Sequence, residues 1–334
     1  MELTPNMLAQ IAEELRTKFL TSDLPSQVLP SQEADRFIDM LIDQSTLLRE
    51  VEVYRTDYRS GERALIDLAD PVTVAATENP TTEETGKPTV TTATYTCNKI
   101  KSAFFLTWED LNWTIERGDF EDTVVRLWNK RMSMDLEMLG LHGDADKYAA
   151  PATAYEKLVD IDDGWVSILL DNAAQTHVVD VHDPTTGDPV AIETSIWQKA
   201  YNALPEKYKV NRGALRWIVA PRIVSDYRYY LASRNTDLGD AMIAGTPTLT
   251  PVGISILEVP LMPFNLGTGA DETVLLLTDP RNLMFVIHRE LRLAREVKML
   301  EDKIWFAGFG YVDYVVLNLD AVVIVKGLKA NDSI

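Results

Sequence analysis

Residues 70–99 read DPVTVAATENPTTEETGKPTVTTATYTCNK, and no other stretch restricts the fold of this 334-residue chain so strongly. Threonine recurs throughout, prolines stand at 71, 80 and 88, and large apolar side chains are nearly absent. β-Branched residues favour extended backbone, but a strand pair with no apolar face has nothing to bury and no fixed register. The flanks behave differently. VEVYRTDYRSGERALIDL, 51–68, alternates with period two and reads as strand, Ser-Gly turn, strand. Apolar alternation then resumes from Ile100 to Trp108. Residues 51–108 are therefore a long two-stranded excursion with a polar tip. An isolated two-stranded hairpin is marginal in water. The tip alone fits a disordered surface loop equally well; the strand character of both flanks favours an ordered arm supported by a neighbouring subunit.

The segments around this excursion have clear periods. Thr4-Pro5 forms an N-cap and first-turn pair, and Leu8, Ile11, Leu15 and Phe19 follow as one apolar stripe. LTSDLPSQVLPS, with two prolines and no period, is an extended linker. Helix and linker have little core of their own and must lie on something else. Ser31 caps a second helix with Ala34, Phe37, Ile38, Leu41 and Ile42 on its buried side. The strongest helix follows Gly118, with Asp119 as cap and Glu121 and Asp122 at the positive end of its dipole. Phe120, Val124, Leu127, Trp128, Met132, Leu136, Met138 and Leu139 give it a wide apolar face, uninterrupted until Gly140. At 1.5 Å per residue it is a rod of roughly 30 Å.

Residues 156–265 read as a compact α/β unit. SIWQKAYNAL (195–204) and PRIVSDYRYYLASR are helices, RWIVAP (216–221) a short buried strand, PVGISILEVPLMP a strand pair, and HDPTTGDP (182–189) a turn. From Thr273 onward the chain is almost all β, and 316–325 is too apolar for a sheet edge.

Charge narrows the function. Lys plus Arg is 32 and Asp plus Glu is 51, a net charge of −19. Such acidity argues against binding nucleic acid by phosphate neutralisation, and it makes identical subunits repel one another at low salt. Assembly of copies should therefore improve with salt. Cys97 is the single cysteine, so no intrachain disulfide exists, which fits a reducing site of folding. The first residues carry no charged-then-apolar leader pattern, and no apolar run approaches the roughly 20 residues of a membrane span. The expectation is a soluble chain made in the cytoplasm.

Catalytic patterns are missing. Neither G-x-S-x-G nor G-x-x-x-x-G-K-[ST] occurs. GFGYVD (308–313) lacks the third glycine of a dinucleotide fingerprint and is followed by strand, and GTGADE (267–272) reads as a loop. His177 and His182, five apart on a strand, lie on opposite faces, and His288 sits in a β pattern as a satisfied histidine. LGLHGDAD (139–146) and DIDDGW (160–165) offer oxygen ligands through Asp144, Asp146, Asp160, Asp162 and Asp163, but the EF-hand register fails at both starts. Glycines at 140 and 143 suit a helix C-terminus, so the stretch reads as a stop and a domain junction.

The order of elements is informative: helical arm, Pro-rich linker, short helix, Thr-rich hairpin, long helix, α/β unit, closing strands. With KIKSAFFLTWEDLNW leading into RGDFEDTVVRLWNKRMSMDLEMLGLHGD, and LLTDPRNLMFVIHRELRLAREVKMLEDKIWFAGFGYVDYVVLNLDAVVIV at the end, it resembles the major capsid proteins of tailed bacteriophages. The resemblance implies an α+β, Hong-Kong-97-type capsid fold with N-arm, extended β-hairpin loop, peripheral domain with long spine helix, and axial α/β domain. It assigns 1–29 to the N-terminal arm, 30–50 to the start of the peripheral domain and 51–108 to an extended loop reaching over a neighbouring subunit. It assigns 109–155 to the peripheral domain with the spine helix, 156–270 to the axial domain, 271–316 to peripheral-domain strands, and 317–334 to a closing strand and C-terminus. Intersubunit contacts are expected at Glu78, Asn79, Thr85, Gly86 and Lys87 in the loop tip and at Glu301, Asp302 and Lys303 where capsomers meet.

The implied function is a non-enzymatic capsid protein that assembles as pentamers and hexamers into an icosahedral head shell. It needs no cofactor, contacts no membrane and encloses double-stranded DNA without sequence-specific binding. Its partners would be scaffold, portal and decoration proteins, its assembly site the host cytoplasm and its final location the virion. An encapsulin-like bacterial compartment shell and an Asp-dependent metal enzyme using 142–163 are the alternatives. Deleting 75–94 is expected to leave a folded but assembly-defective subunit.

Overall fold

Side chains along Lys303–Val316 alternate between half-buried and buried before becoming buried throughout, which marks a long strand that starts near the surface and ends inside. The computed structural model describes residues 27–28, 31–67, 88–107, 120–145, 147–148, 150–233, 249–264, 266, 272–290 and 292–329. Its first half contains β1 (Gln27–Val28), α1 (Ser31–Asp43), β2 (Glu52–Thr56), β3 (Ser60–Asp67), β4 (Thr89–Thr96), β5 (Asn98–Thr107), α2 (Phe120–His142), α3 (Ala154–Val159) and α4 (Trp165–Asp171). Then come β6 (His177–Asp180), α5 (Thr194–Ala203), α6 (Glu206–Lys209), β7 (Arg216–Val219), α7 (Pro221–Ala232) and β8 (Ser255–Glu258). The chain closes with β9 (Glu272–Thr278), β10 (Leu283–His288), β11 (Arg292–Lys298), β12 (Lys303–Val316) and β13 (Val323–Lys329). Among the described residues no helix is long and apolar enough to cross a membrane.

Three sheets result. The first has the order β1-β11-β12-β10-β2, with β5 on the other flank of β12. β12 pairs antiparallel with β11 over Lys303–Phe309, with β5 over Lys303–Val312 and with β10 over Val312–Val316. The second sheet, β6-β13-β9-β7-β8, is packed by α5 through the buried Trp197, whose ring lies 4.9 Å from Trp217 of β7 and 5.4 Å from Tyr227 of α7, while Trp165 of α4 packs on Tyr314 of the first sheet. The third is the β3–β4 hairpin alone.

Several sequence expectations change. The 51–68 stretch is not a strand–turn–strand unit about Ser60-Gly61. β2 pairs parallel with β10, β3 pairs with β4, and the chain changes sheets at Asp57–Arg59. Gly61 lies within β3 opposite Tyr95, where a Cβ would sit 2.5 Å from the Tyr95 hydroxyl; the ring needs the space a side chain would fill. PVGISILEVPLMP forms one strand, β8, after a 3-10 turn at Pro251–Gly253. Glu272–Thr278, grouped from sequence with the strands of 271–316, is hydrogen-bonded between β13 and β7 in the second sheet. Val323–Lys329, grouped with the C-terminus, is an interior strand of that sheet, between β6 and β9, which accounts for its burial on both faces.

The long helix also differs. It has 23 residues and runs through Gly140 to His142. A Cβ on Gly140 would lie 2.8 Å from the Tyr314 ring and 2.9 Å from the Trp165 ring, so this glycine permits close packing inside the helix and does not end it. Trp128, Met132, Leu136 and Leu139 are buried against the sheet, while Leu127, one position off that stripe, is 61% exposed. Glu137 is only 2% exposed and holds the turn after α1: its carboxylate accepts hydrogen bonds from the Ser45 hydroxyl and from the backbone N–H groups of Thr46 (3.0 Å) and Leu47 (3.3 Å).

Candidate functional site: a lysine–aromatic sheet face

The first sheet has two faces of different character. Ile304, Phe306, Val312 and Tyr314 of β12 point into the main core, where Phe104 and Phe306 stack at 4.9 Å and Trp128 of α2 closes on Phe104 at 5.4 Å. The opposite face is covered at one end by the chain's own hairpin. There Ala93, Tyr95 and Cys97 pack against Met284, Val286, Val315 and Leu317 in a second cluster. Arg59 lies over the Tyr311 ring at 4.1 Å and donates to its hydroxyl at 2.7 Å, and Arg63 lies over Tyr54 and pairs with Glu52.

At the other end the same face is open. Cross-strand register aligns Phe105 with Trp305, Ala103 with Ala307, Lys101 with Phe309 and Lys99 with Tyr311. Phe105 is 47% exposed and its ring is 5.0 Å from Trp305. Lys99 and Lys101 lie over the Phe309 ring at 5.1 and 5.8 Å, Lys303 over Phe105 at 4.9 Å and Lys298 over Trp305 at 6.0 Å. Among the described residues only Lys298 of these four has an ion-pair partner, Glu301 at 3.7 Å. In a chain of net charge −19, a face where three lysines over an aromatic row have no ion-pair partner among the described residues, with Glu296 opposite Trp305 as an acidic neighbour, is mainly basic. The alternation K-x-K-x-x-x-F and K-x-W-x-A-x-F-x-Y was legible in sequence; the register that makes one face of both was not.

Of the expected contact residues, Glu301, Asp302 and Lys303 sit at the turn joining β11 to β12, at the end of this open face. Leu300 beside them is fully exposed, and Asp302 has a φ of +53°, a conformation aspartate tolerates better than most residues. Glu78, Asn79, Thr85, Gly86 and Lys87 lie outside the described residues, as does Asp146.

The acidic stretches behave as a junction. His142 accepts from the Tyr155 hydroxyl (2.8 Å) and donates to the Leu261 carbonyl (2.7 Å), and burial lowers its pKa, so it is a neutral, satisfied core histidine. Asp163 accepts from the Ala145 N–H at 2.9 Å, tying the two stretches together. His177 pairs with Asp320, His182 with Asp180 and Glu272, and His288 donates to the Asp57 carbonyl, so the histidines serve separate places. Among the described residues no three His, Cys, Asp or Glu are grouped to hold a metal ion.

Comparison with known proteins places the chain. The sequence profile of the phage major capsid protein, P2 family, matches residues 5–326. The prophage capsid protein YqbE of Bacillus subtilis (strain 168) is 25% identical over 275 residues, covering 80% of this chain and 81% of the relative. The satellite phage P4 procapsid including size determination (Sid) protein contains a chain with a TM-score of 0.69 at 20% identity, covering 96% of this chain and 99% of that one. The capsid of the native GTA particle gives a TM-score of 0.60 at 16% identity over 85% of this chain and 90% of its own.

Proposed function

The chain belongs to the P2 family of phage major capsid proteins, and from that premise we propose that it assembles as pentamers and hexamers into the icosahedral head shell of a tailed bacteriophage around double-stranded DNA. In this reading residues 1–29 are the N-arm, 51–108 the extended loop, Phe120–His142 the spine helix, and the five-stranded sheet with its helices the axial domain. Scaffold, portal and decoration proteins are its partners, and assembly takes place in the host cytoplasm.

The observation that carries the proposal is the half-covered sheet face. The chain's own hairpin covers the end at Tyr311–Leu317, while the lysine–aromatic end stays open. The loop between β3 and β4 is acidic, with Asp70, Glu78, Glu83 and Glu84 against Lys87. A neighbouring subunit's loop laid over Lys99, Lys101 and Lys303 would bury Phe105 and offset part of the −19 repulsion between copies. Glu78, Asn79, Thr85, Gly86 and Lys87 would then make their contacts on a second copy, and Glu301, Asp302 and Lys303 would meet another capsomer at the turn. No observation favours the compartment-shell or metal-enzyme readings over this one.

Negative-stain microscopy with light scattering across salt concentrations tests it. Shells, capsomers or tubes forming more readily at moderate than at low salt are the expected result; a strictly monomeric particle at every salt concentration overturns the proposal. The exposed pair Lys99→Glu and Lys101→Glu should abolish assembly and leave unfolding unchanged. Wild-type assembly by that variant would remove the sheet face from the interface.

A further inference from the structure

We propose that Asp162 and Asp313 form a shared-proton latch that fastens the base of the β3–β4 hairpin to the loop before α4, and that the latch loosens when the proton is lost. Three segments meet at the pair. Asp313, on β12, accepts from the backbone N–H of Thr96 at 2.6 Å, at the end of β4, and from that of Tyr314 at 2.7 Å. Asp162 accepts from the Asn98 side-chain amide at 3.1 Å and from the Asp163 N–H at 3.0 Å; the same amide also donates to the Ile161 carbonyl at 3.2 Å. Both carboxyls thus hold the link, Thr96 to Asn98, where the hairpin strand passes into β5. Both also line one cleft of about 340 Å³, with Thr92, Thr94, Asp163 and Ile168.

One oxygen decides the chemistry. Asp162 Oδ2 is closed to solvent and has no hydrogen-bond partner. An ionised carboxylate only accepts, whereas a protonated one also donates, so a proton on the pair supplies a donor the site otherwise lacks. The groups facing the pair do not supply a compensating cation. They are Asp163 from the same loop, Tyr314 from β12, Cys97 and Asn98 from the hairpin base, the β4 threonines and Ile168 of α4. Among the described residues no lysine, arginine or histidine forms an ion pair with either carboxylate.

The expected pKa shifts agree with this geometry. Burial, then the Asp313 charge, pushes Asp162 up to about 7 from the ordinary 3.8, and burial pushes Asp313 up to about 6 against its two backbone donors. The fastened form therefore holds protons that the released form gives up. The hold is complete below the ordinary carboxyl range, weakens as pH rises, and is lost once pH has passed through the raised values.

Hydrogen exchange on the unassembled subunit reads the latch apart from shell formation. Protection factors, which normalise for intrinsic exchange, should fall at Thr96 and Cys97 by up to about a hundredfold per pH unit between about pH 5 and 6, where opening releases a proton from each carboxyl, by about tenfold per unit between about 6 and 7, and level off above. The amides of Leu275–Leu277 in the second sheet should not follow. Asp162→Asn keeps a neutral donor there; it should flatten the profile and exceed wild-type protection at about pH 8. A flat wild-type profile, or an unaltered slope in D162N, overturns the proposal. Should D162N not fold, a carbon-13 titration of Asp162 in the wild-type chain decides: a midpoint near 7 supports the latch, and one near 4 refutes it.

Discussion

Replacing Glu137 tests whether the long helix is held by more than its apolar stripe. Its carboxylate takes hydrogen bonds from Ser45, Thr46 and Leu47, and the Ser45 hydroxyl in turn accepts from the Leu48 N–H at 3.0 Å. Leu47 and Leu48 are both 0% exposed, so water cannot replace the lost acceptor. Each buried donor left unpaired costs about 1–3 kcal/mol. Removing the carboxylate also removes its own desolvation cost, which leaves a net loss of roughly 3–5 kcal/mol for Glu137→Ala. Glu137→Gln can keep an acceptor at the one oxygen that takes all three hydrogen bonds, but a neutral one in place of a charged one, and should lose roughly 1–3 kcal/mol. Glu137→Leu fits the apolar neighbourhood yet accepts nothing, so it should resemble the alanine variant. The assay is urea unfolding of the subunit under conditions where it does not assemble, with tryptophan fluorescence as the probe. The expected order is wild type, Gln, then Leu and Ala. A leucine variant as stable as wild type would show that the site is merely apolar and refute the reasoning.

Two further outcomes follow from the packing. Gly140→Ala would ordinarily strengthen a helix interior by about 1 kcal/mol, but its methyl would meet the Tyr314 and Trp165 rings at 2.8 and 2.9 Å. Overpacking of that kind costs typically 1–3 kcal/mol, so the thermal midpoint should drop; a rise would show that the rings can give way. Deleting 75–94 would remove six of the eight residues of β4, buried Ala93 among them, and so cannot spare the fold. Because Asp67 pairs with Thr89, replacing 68–88 by Asn-Gly makes a two-residue hairpin loop. This variant should unfold like wild type and form no shells, as micrographs would show; intact shells would remove the loop from assembly.

Local information accounts for what was legible in the sequence. The 3.6-residue period from Phe120 to Leu139, the two-residue period on both sides of residues 68–88 and the acid excess each depend on neighbours a few positions apart. They sufficed for a long helix, a long hairpin and an α/β unit in the right order, and that order suggested the family. Their reading went astray where a residue answers to a distant partner. Gly61 looks like a turn but makes room for Tyr95 across the hairpin, and Gly140 looks like a helix stop but makes room for Tyr314 and Trp165. Glu137 interrupts an apolar stripe because the α1 turn, 90 to 92 positions away, needs an acceptor. Glu272–Thr278 and Val323–Lys329 carry no mark of which sheet they join, since apolar strands of similar length fit either until pairing selects one. The lysine–aromatic face and the Asp162–Asp313 pair belong to the same class. Each arises from cross-strand register and chain crossing, which place charges beside groups that are remote in sequence, and only the tertiary structure brings them together.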